Sequence, residues 1–437
     1  MKKLRRLWDQ LRSSLWLVPA LIVIGAVVLA AVMVDAGALL DMDYLLERWP
    51  RLFGVGAAGS RGLLTSIAGS MITVAGVTFS ITIVALTLAS SQYSSRILQN
   101  FMRDRANQIV LGVFLGVFAY CLVVLRTIRG GDEVVFVPAI AVLTALLLAF
   151  VAIGFLIFFI HHVAVSIQAT SIIESAARET LEAVDRLFPA DVGNPVSEDS
   201  PQAEHAYPGT WTMVPSLKTG YIQAVDADAL FELARERDIV VKMERAIGEF
   251  VIEGASIASV TGGKRDEALV RTLNKAYATG RQRTLTQDAA YGIRQIVDVA
   301  LKALSPGIND TTTAIHCLDF LGAILARLAT RAIEPPRRSD GSRLRLVTRG
   351  PTFQRLLGES FDQIRQNADG NVATLSRLVQ ILEILAMQTE DPHRRSAIRQ
   401  QAALVIEVVD RSVPAAYDRA SVQATYARLV SLLDAKG

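Results

Sequence analysis

Few side chains in this 437-residue chain are grouped in a way that could do chemistry. Gly262, Gly263 and Lys264 suggest a phosphate loop, in which backbone amides cradle phosphates and a lysine reaches them. That loop needs Gly-x4-Gly-Lys-Ser/Thr, and here Ala258 stands at the first glycine position and Arg265 at the Ser/Thr position, so the motif fails. His161 and His162 are adjacent. On a helix they point about 100° apart and chelate poorly, so they read as interfacial histidines. Cys121 and Cys317 are the two cysteines. One lies in an apolar run and the other in a polar half, so they give no disulfide framework and no sign of an oxidising compartment. There is no Ser/His/Asp or Cys/His pattern and no paired-histidine helix. The expectation is a protein that is not an enzyme and carries no cofactor or metal. A net charge of +3 is too small to argue for nucleic acid.

The most regular pattern is built from hydroxyls and glycines. Between Arg61 and Arg96 there is no charge, and Ser66, Gly69, Thr73, Gly76, Ser80, Thr87, Ser91 and Ser94 recur at helical spacing, with only Val84 breaking the stripe. Two readings stay open. Small residues let helices approach closely, and Ser and Thr can return their hydroxyls to the carbonyl one turn back, so the stripe can be a packing face. It can equally line a pore or cavity. The candidate lining residues are Ser66, Thr73, Gly76, Ser80, Thr87 and Ser91. Arg61 and Arg96 bracket the stripe, either as rings that favour anions or as interfacial residues that snorkel.

These residues need a membrane domain to position them. Half of the chain is hydrophobic, and that half is concentrated before His161. A bilayer core takes about 20 apolar residues. Four runs qualify: 15–34, 63–95, 106–125 and 134–160. The second is longer than a bilayer needs, so it must tilt, bend near Gly76 or extend beyond the lipid. Gly112 and Gly116 form a small-residue pair in the third. The first run is too long for a signal peptide and reads as a retained helix. The spans carry no Asp, Glu, Lys or Arg, which argues against a proton-coupled pump. Lys2, Lys3, Arg5, Arg6 and the cluster from Arg96 to Arg105 fall on one side, so the positive-inside rule puts both termini in the cytoplasm.

Past the membrane the pattern changes. Residues 161–188 read as an amphipathic helical extension and 189–206, rich in Pro, Ser, Asp and Glu, as a linker. Residues 207–262 read as a small β-rich module. GEFVIEGASIASV resembles half of a biotinyl/lipoyl-type β-barrel, but no lysine sits at a matching hairpin tip, so no swinging-arm role follows. A helical region spans 263–333. Thr284 and Gln287 predict a capping box for the helix AAYGIRQIVDVALKAL. The turn Ser305-Pro306-Gly307-Ile308-Asn309-Asp310 separates it from the next helix, which Asn309 or Asp310 caps. That turn is either a simple break or a docking turn at a subunit interface. Residues 334–350 read as linker and strand, and 351–437 as a C-terminal helical bundle.

Three stretches, TVAGVTFSITIVALTLASSQYSSRIL, the module from GYIQAVD to EGASIASV, and QDAAYGIRQIVDVALKALSPGINDTTTAI, together resemble the bacterial membrane proteins called domain of unknown function 2254. The resemblance implies a bacterial inner-membrane protein and brings no activity, ligand or catalytic residue with it. The expected architecture is four transmembrane α-helices plus a cytoplasmic α+β region with a small β-barrel-like module and a helical bundle. The expected function is that of a homo-oligomeric inner-membrane passive ion channel lined by the second helix and gated through its cytoplasmic domain. The plan is loosely similar to that of small-conductance mechanosensitive channels, by analogy only. The alternative is a non-conducting scaffold or sensor whose cytoplasmic domain binds a protein or small ligand.

Overall fold

The computed structural model describes residues 16–39, 56–92, 104–129, 136–188, 210–261, 266–333, 337–340 and 343–435. The chain divides into two compact units, Met1–Ser171 and Ile172–Gly437.

The first unit contains α1 (Leu17–Leu39), α2 (Ala57–Gln92), α3 (Arg105–Thr127) and α4 (Ala139–Ser166). Its centre is α3, which packs against each of the other three. The reason lies in its sequence. Gly112 and Gly116 leave room for α1: a Cβ on Gly112 would lie 2.7 Å from Ile22 Cδ1 and 3.0 Å from Pro19 Cα, and one on Gly116 would lie 3.3 Å from Ile22 Cγ2. Other faces of α3 bury Val110, Phe114, Val117, Tyr120 and Val124. The Tyr120 hydroxyl donates to the Ala141 carbonyl at 3.0 Å and ties α3 to α4. At 1.5 Å per residue the 36 residues of α2 extend about 54 Å, well beyond a hydrocarbon core of about 30 Å. The helix passes Gly76 without a break.

Among the described residues, five helices are long and apolar enough to cross a membrane: Leu17–Ala36, Ala57–Leu88, Arg105–Thr127, Ala139–Ser166 and Thr311–Ala329. The first four overlap the four apolar runs of the sequence, the second beginning earlier, at Ala57, and so taking in Arg61. The fifth lies in the second unit and was not among them. The outer faces of the first unit carry large apolar side chains, among them Leu21, Ile24, Val28, Leu147, Phe150 and Ile157. Such a surface is unfavourable in water and suits lipid.

The second unit opens on α5 (Ala169–Leu187), which starts after a break at Ile167 and Gln168 and buries Ile172, Ile173, Ala176, Thr180, Ala183 and Val184. Where the sequence suggests one barrel-like module, the strands lie in two sheets. One is five-stranded, in the order β1 (Thr212–Pro215), β5 (Ser256–Thr261), β3 (Val240–Met243), β8 (Arg343–Val347), β7 (Arg337–Asp340). The other is three-stranded, in the order β4 (Phe250–Val251), β2 (Gly220–Val225), β6 (Tyr277–Gly280). Strand β8 runs parallel to β3, with Val241 opposite Leu346. This pairing brings the strand at the end of the 334–350 linker-and-strand segment into the sheet. Helices α6 (Ala227–Glu236) and α7 (Glu267–Ala276) are N-capped by Asp226 and Asp266, and bury Leu230, Leu269 and Leu273 in the core around the strands.

The remaining helices are α8 (Ala289–Ala303), α9 (Thr311–Ala329), α10 (Phe353–Asn367), α11 (Val372–Gln388), α12 (Pro392–Ser412) and α13 (Ala416–Asp434). Packing runs α8 on α9 and α10, α9 on α11, and α11 on α12 and α13. Buried Arg395 donates to the carbonyls of Ala386, Thr389, Leu432 and Leu433. It thereby satisfies carbonyls at the ends of α11 and α13 that no helical amide can reach. The cap of α8 differs from expectation. Asp288, not Thr284, accepts from the Tyr291 amide at 3.1 Å, and Gln287 instead accepts from the Val225 amide at 2.9 Å.

Candidate functional site

Helix α2 has a buried face and an open one, and the open side also exposes Val77, Phe79, Ile81, Val84 and Leu88. The first buries Leu64, Ile67, Ala68, Met71, Ala75, Thr78 and Ala85 in the core of the first unit. At 100° per residue, Ser66, Thr73, Gly76, Ser80 and Thr87 fall on the other side of the helix, and all five are exposed. A Cβ on Gly69 or Gly76 would meet nothing within 4 Å. The stripe therefore does not pack on its own α3. Three hydroxyls on this side are satisfied locally: Thr73 Oγ1 donates to the Gly69 carbonyl at 2.8 Å, Ser70 Oγ to the Ser66 carbonyl at 2.8 Å and Thr87 Oγ1 to the Ile83 carbonyl at 2.9 Å. These bonds leave each hydroxyl oxygen free to accept from water or from another chain. The Ser91 side chain and Arg96 lie outside the described residues, as do Gly262, Gly263 and Lys264.

Arg61, at the first turns of α2, donates to the Ile128 carbonyl at 3.1 Å. Ile128 is the C-cap of α3, where the helix dipole favours a cation, so Arg61 also clamps the two helices at this end. At the opposite end the histidines have separate surroundings. His161 is exposed. His162 stacks on Phe158, with ring centroids 5.5 Å apart, and its Nε2 meets Asp104 Oδ2 in a short contact. Asp104 also caps α3, accepting from the Ala106 amide at 2.9 Å. This link between α3 and α4 is missed when the histidines are read alone. Its signal is Asp104 itself, the one acid in the basic stretch from Arg96 to Arg105.

In the second unit Asp310, rather than Asn309, caps α9. The Thr313 amide donates to Asp310 Oδ1 at 3.0 Å and the Thr313 hydroxyl to Oδ2 at 2.6 Å. These bonds hold the Asp310 carboxyl below its ordinary value. Asn309 takes the left-handed conformation (φ 50°) that reverses the chain, and asparagine tolerates it well. The Ser305 hydroxyl donates to Lys302. Pro306, Gly307, Ile308, Asn309 and Asp310 form an exposed tip.

The family described as predicted membrane protein, DUF2254, matches residues 12–384. The chain belongs to the DUF2254 family. Two relatives, Uncharacterized protein Mb1321c of Mycobacterium bovis and Uncharacterized protein Rv1290c of Mycobacterium tuberculosis, are each 34% identical over 443 residues, covering 98% of this chain and 82% of the relative. No solved structure matches the chain. As a DUF2254 member it is a predicted membrane protein, in agreement with the apolar outer faces of α1 and α4. Neither the family description nor the relatives' names assign a ligand, so the α2 face and the turn before α9 are interpreted on their geometry.

Proposed function

We propose that this protein is a homo-oligomeric passive channel of the bacterial inner membrane, with the open face of α2 from several copies lining the path. One observation carries this reading: the uncharged hydroxyl and glycine stripe is exposed and faces away from its own α3, with Val77, Phe79 and Val84 exposed beside it. In this reading α1 to α4 span and α9 belongs to the cytoplasmic unit. Support for leaving α9 out comes from its fully buried Leu318, Leu321, Leu325 and Leu328 and its ion pairs, Asp319 with Arg377 at 2.6 Å and Arg327 with Asp185 at 2.7 Å. Both termini are cytoplasmic by the positive-inside rule. Reporter fusions at Met42 and Gly437 should then report opposite sides. Conduction is tested by ion release from liposomes containing the full chain. Release is expected, and Ser80→Trp should suppress it while Val28→Trp, on the lipid face of α1, should not. Equal release from both variants, or none from the unaltered protein, would contradict a path along α2. The second reading, a non-conducting sensor, is favoured by a cavity in the second unit.

A further inference from the structure

The second unit holds an open cleft with a cavity volume of about 250 Å³, small beside the roughly 300–1,000 Å³ of drug-sized sites. Part of its wall is apolar, formed by Phe188 just past α5, Met243 of β3, Ile247 and Pro351. The charged part of the wall holds Arg283, Arg349, Arg355 and a single acid, Asp288. Asp288 is fully committed. It receives Arg283 Nε at 2.8 Å and Nη2 at 3.0 Å, and also caps α8. Gly248 makes room for this pair, since a Cβ there would meet Asp288 Oδ2 and lie 3.0 Å from Arg283 Nε. The charge of Asp288 is therefore matched by Arg283, and Arg349 and Arg355 are the other two cations of the lining, their paired carboxylates Glu249 and Glu359 lying outside it.

Those two guanidinium groups are only partly used. Arg349 Nη1 donates to a neutral acceptor, the Glu244 carbonyl, at 2.8 Å. Arg355 Nε donates to Glu359 at 2.8 Å. Glu249 forms an ion pair with each, at 3.7 Å from Arg349 and 3.9 Å from Arg355, without a hydrogen bond to either, so N–H donors of both forks stay open. A guanidinium carries five N–H donors in a planar fork. Two half-exposed forks beside an apolar wall match a small anion with an apolar body. We propose that this cavity binds a small amphiphilic anion, a carboxylate or phosphate monoester bearing a short alkyl chain or ring, with Arg349 and Arg355 gripping the anionic end and Phe188, Met243 and Ile247 covering the rest. The site stands independently of the channel reading, because neither its residues nor its test involves α2.

The test is equilibrium dialysis of labelled octanoate and labelled hexyl phosphate against the full chain in lipid nanodiscs, with empty nanodiscs as baseline. Saturable binding of at least one anion, at one site per chain, is expected. Octanamide, which keeps the chain and lacks the charge, should bind at least about tenfold more weakly, as should the anion to Arg349→Gln and to Arg355→Gln. Both arginines are about half exposed, and unchanged thermal melts of the two variants verify that they fold. Arg355→Lys should fall between wild type and Arg355→Gln. Preference for octanoate would assign a carboxylate ligand and preference for hexyl phosphate a phosphate ester. Inorganic phosphate binding as tightly as hexyl phosphate would overturn the proposal, because the apolar wall would then contribute nothing. Octanamide binding equal to octanoate, unchanged binding in the two glutamine variants, or no saturable binding of either anion would also overturn it.

Discussion

Replacing Gly292 with alanine should loosen α5 from α8, although alanine is the better helix former. The new Cβ would collide with Thr180 Oγ1 and lie 2.9 Å from Thr180 Cβ and 2.8 Å from Leu285 Cδ2. Thr180 cannot simply turn away. It is fully buried, and its hydroxyl donates to the Ala176 carbonyl at 2.6 Å. Overpacking costs about 1–3 kcal/mol, displacement of that hydrogen bond adds about 1 kcal/mol, and the glycine-to-alanine change in a helix returns about 1 kcal/mol. The net loss is then roughly 1–3 kcal/mol. For a unit of this size each kcal/mol lowers Tm by about 2–4 °C, so a fall of roughly 2–12 °C is expected when the detergent-purified full chain is melted at a fixed scan rate. Gly154→Ala on α4, where the Cβ meets nothing within 4 Å, gains the same helix propensity without the clash and should not lower Tm. Thr180→Ala should rescue Gly292→Ala, making the double variant more stable than additivity requires. A Gly292→Ala protein as stable as wild type, or strict additivity with Thr180→Ala, would refute the close α5–α8 contact.

Asp310→Ala should lower stability by about 0.5–2 kcal/mol through loss of the α9 cap, read as a fall in Tm at neutral pH. The Asp310 carboxyl is held below its ordinary value by its bonds to Thr313. Its contribution is thus present above the unfolded value of about 3.9 and lost as pH falls through the folded one. The Tm gap between wild type and variant should therefore close below about pH 4, and a gap that widens in acid would contradict the assignment. Gly248→Ala combines a positive φ of 86° with a collision against Asp288 and Arg283, so it should cost about 1–3 kcal/mol in a thermal melt. Gly254→Ala, which has a similar φ of 84° and open space around it, should cost less.

The four long apolar helices of the first unit are legible because a charge-free run of bilayer length has few other meanings. The orientation of α2 about its axis is not. Its buried face offers Ala68, Ala75 and Ala85 and its open face Gly69, Gly76 and Ser80, so small residues lie on both sides. Only the position of α3 decides between them. The amphipathic α5 and the break before α9 follow from local pattern and turn chemistry. The β3–β8 pairing does not, since Val241 and Leu346 lie far apart in sequence and strand order carries no local signature. The cap of α8 is a local ambiguity. Thr284, Gln287 and Asp288 all have the chemistry to cap a helix start, and Gln287 is diverted to the Val225 amide of β2. The cavity escapes sequence reasoning altogether, because Arg283, Arg349 and Arg355 converge only once α8, α10 and the sheets are assembled.

The central claim is that water reaches the open face of α2. Its most direct test is thiol accessibility in liposomes containing the assembled protein. Cys121 is first replaced by serine, while Cys317 is fully buried and stays. Single cysteines at Thr73, Ser80 and Thr87 should react with a hydrophilic thiol reagent, because a thiol must meet water to ionise. Cysteines at Ile72, Phe79 and Leu86, which flank the stripe toward lipid and protein, should not react. Uniform protection at Thr73, Ser80 and Thr87, under resting conditions and under membrane tension alike, would contradict the claim and leave contact with lipid or a second copy as the role of that face.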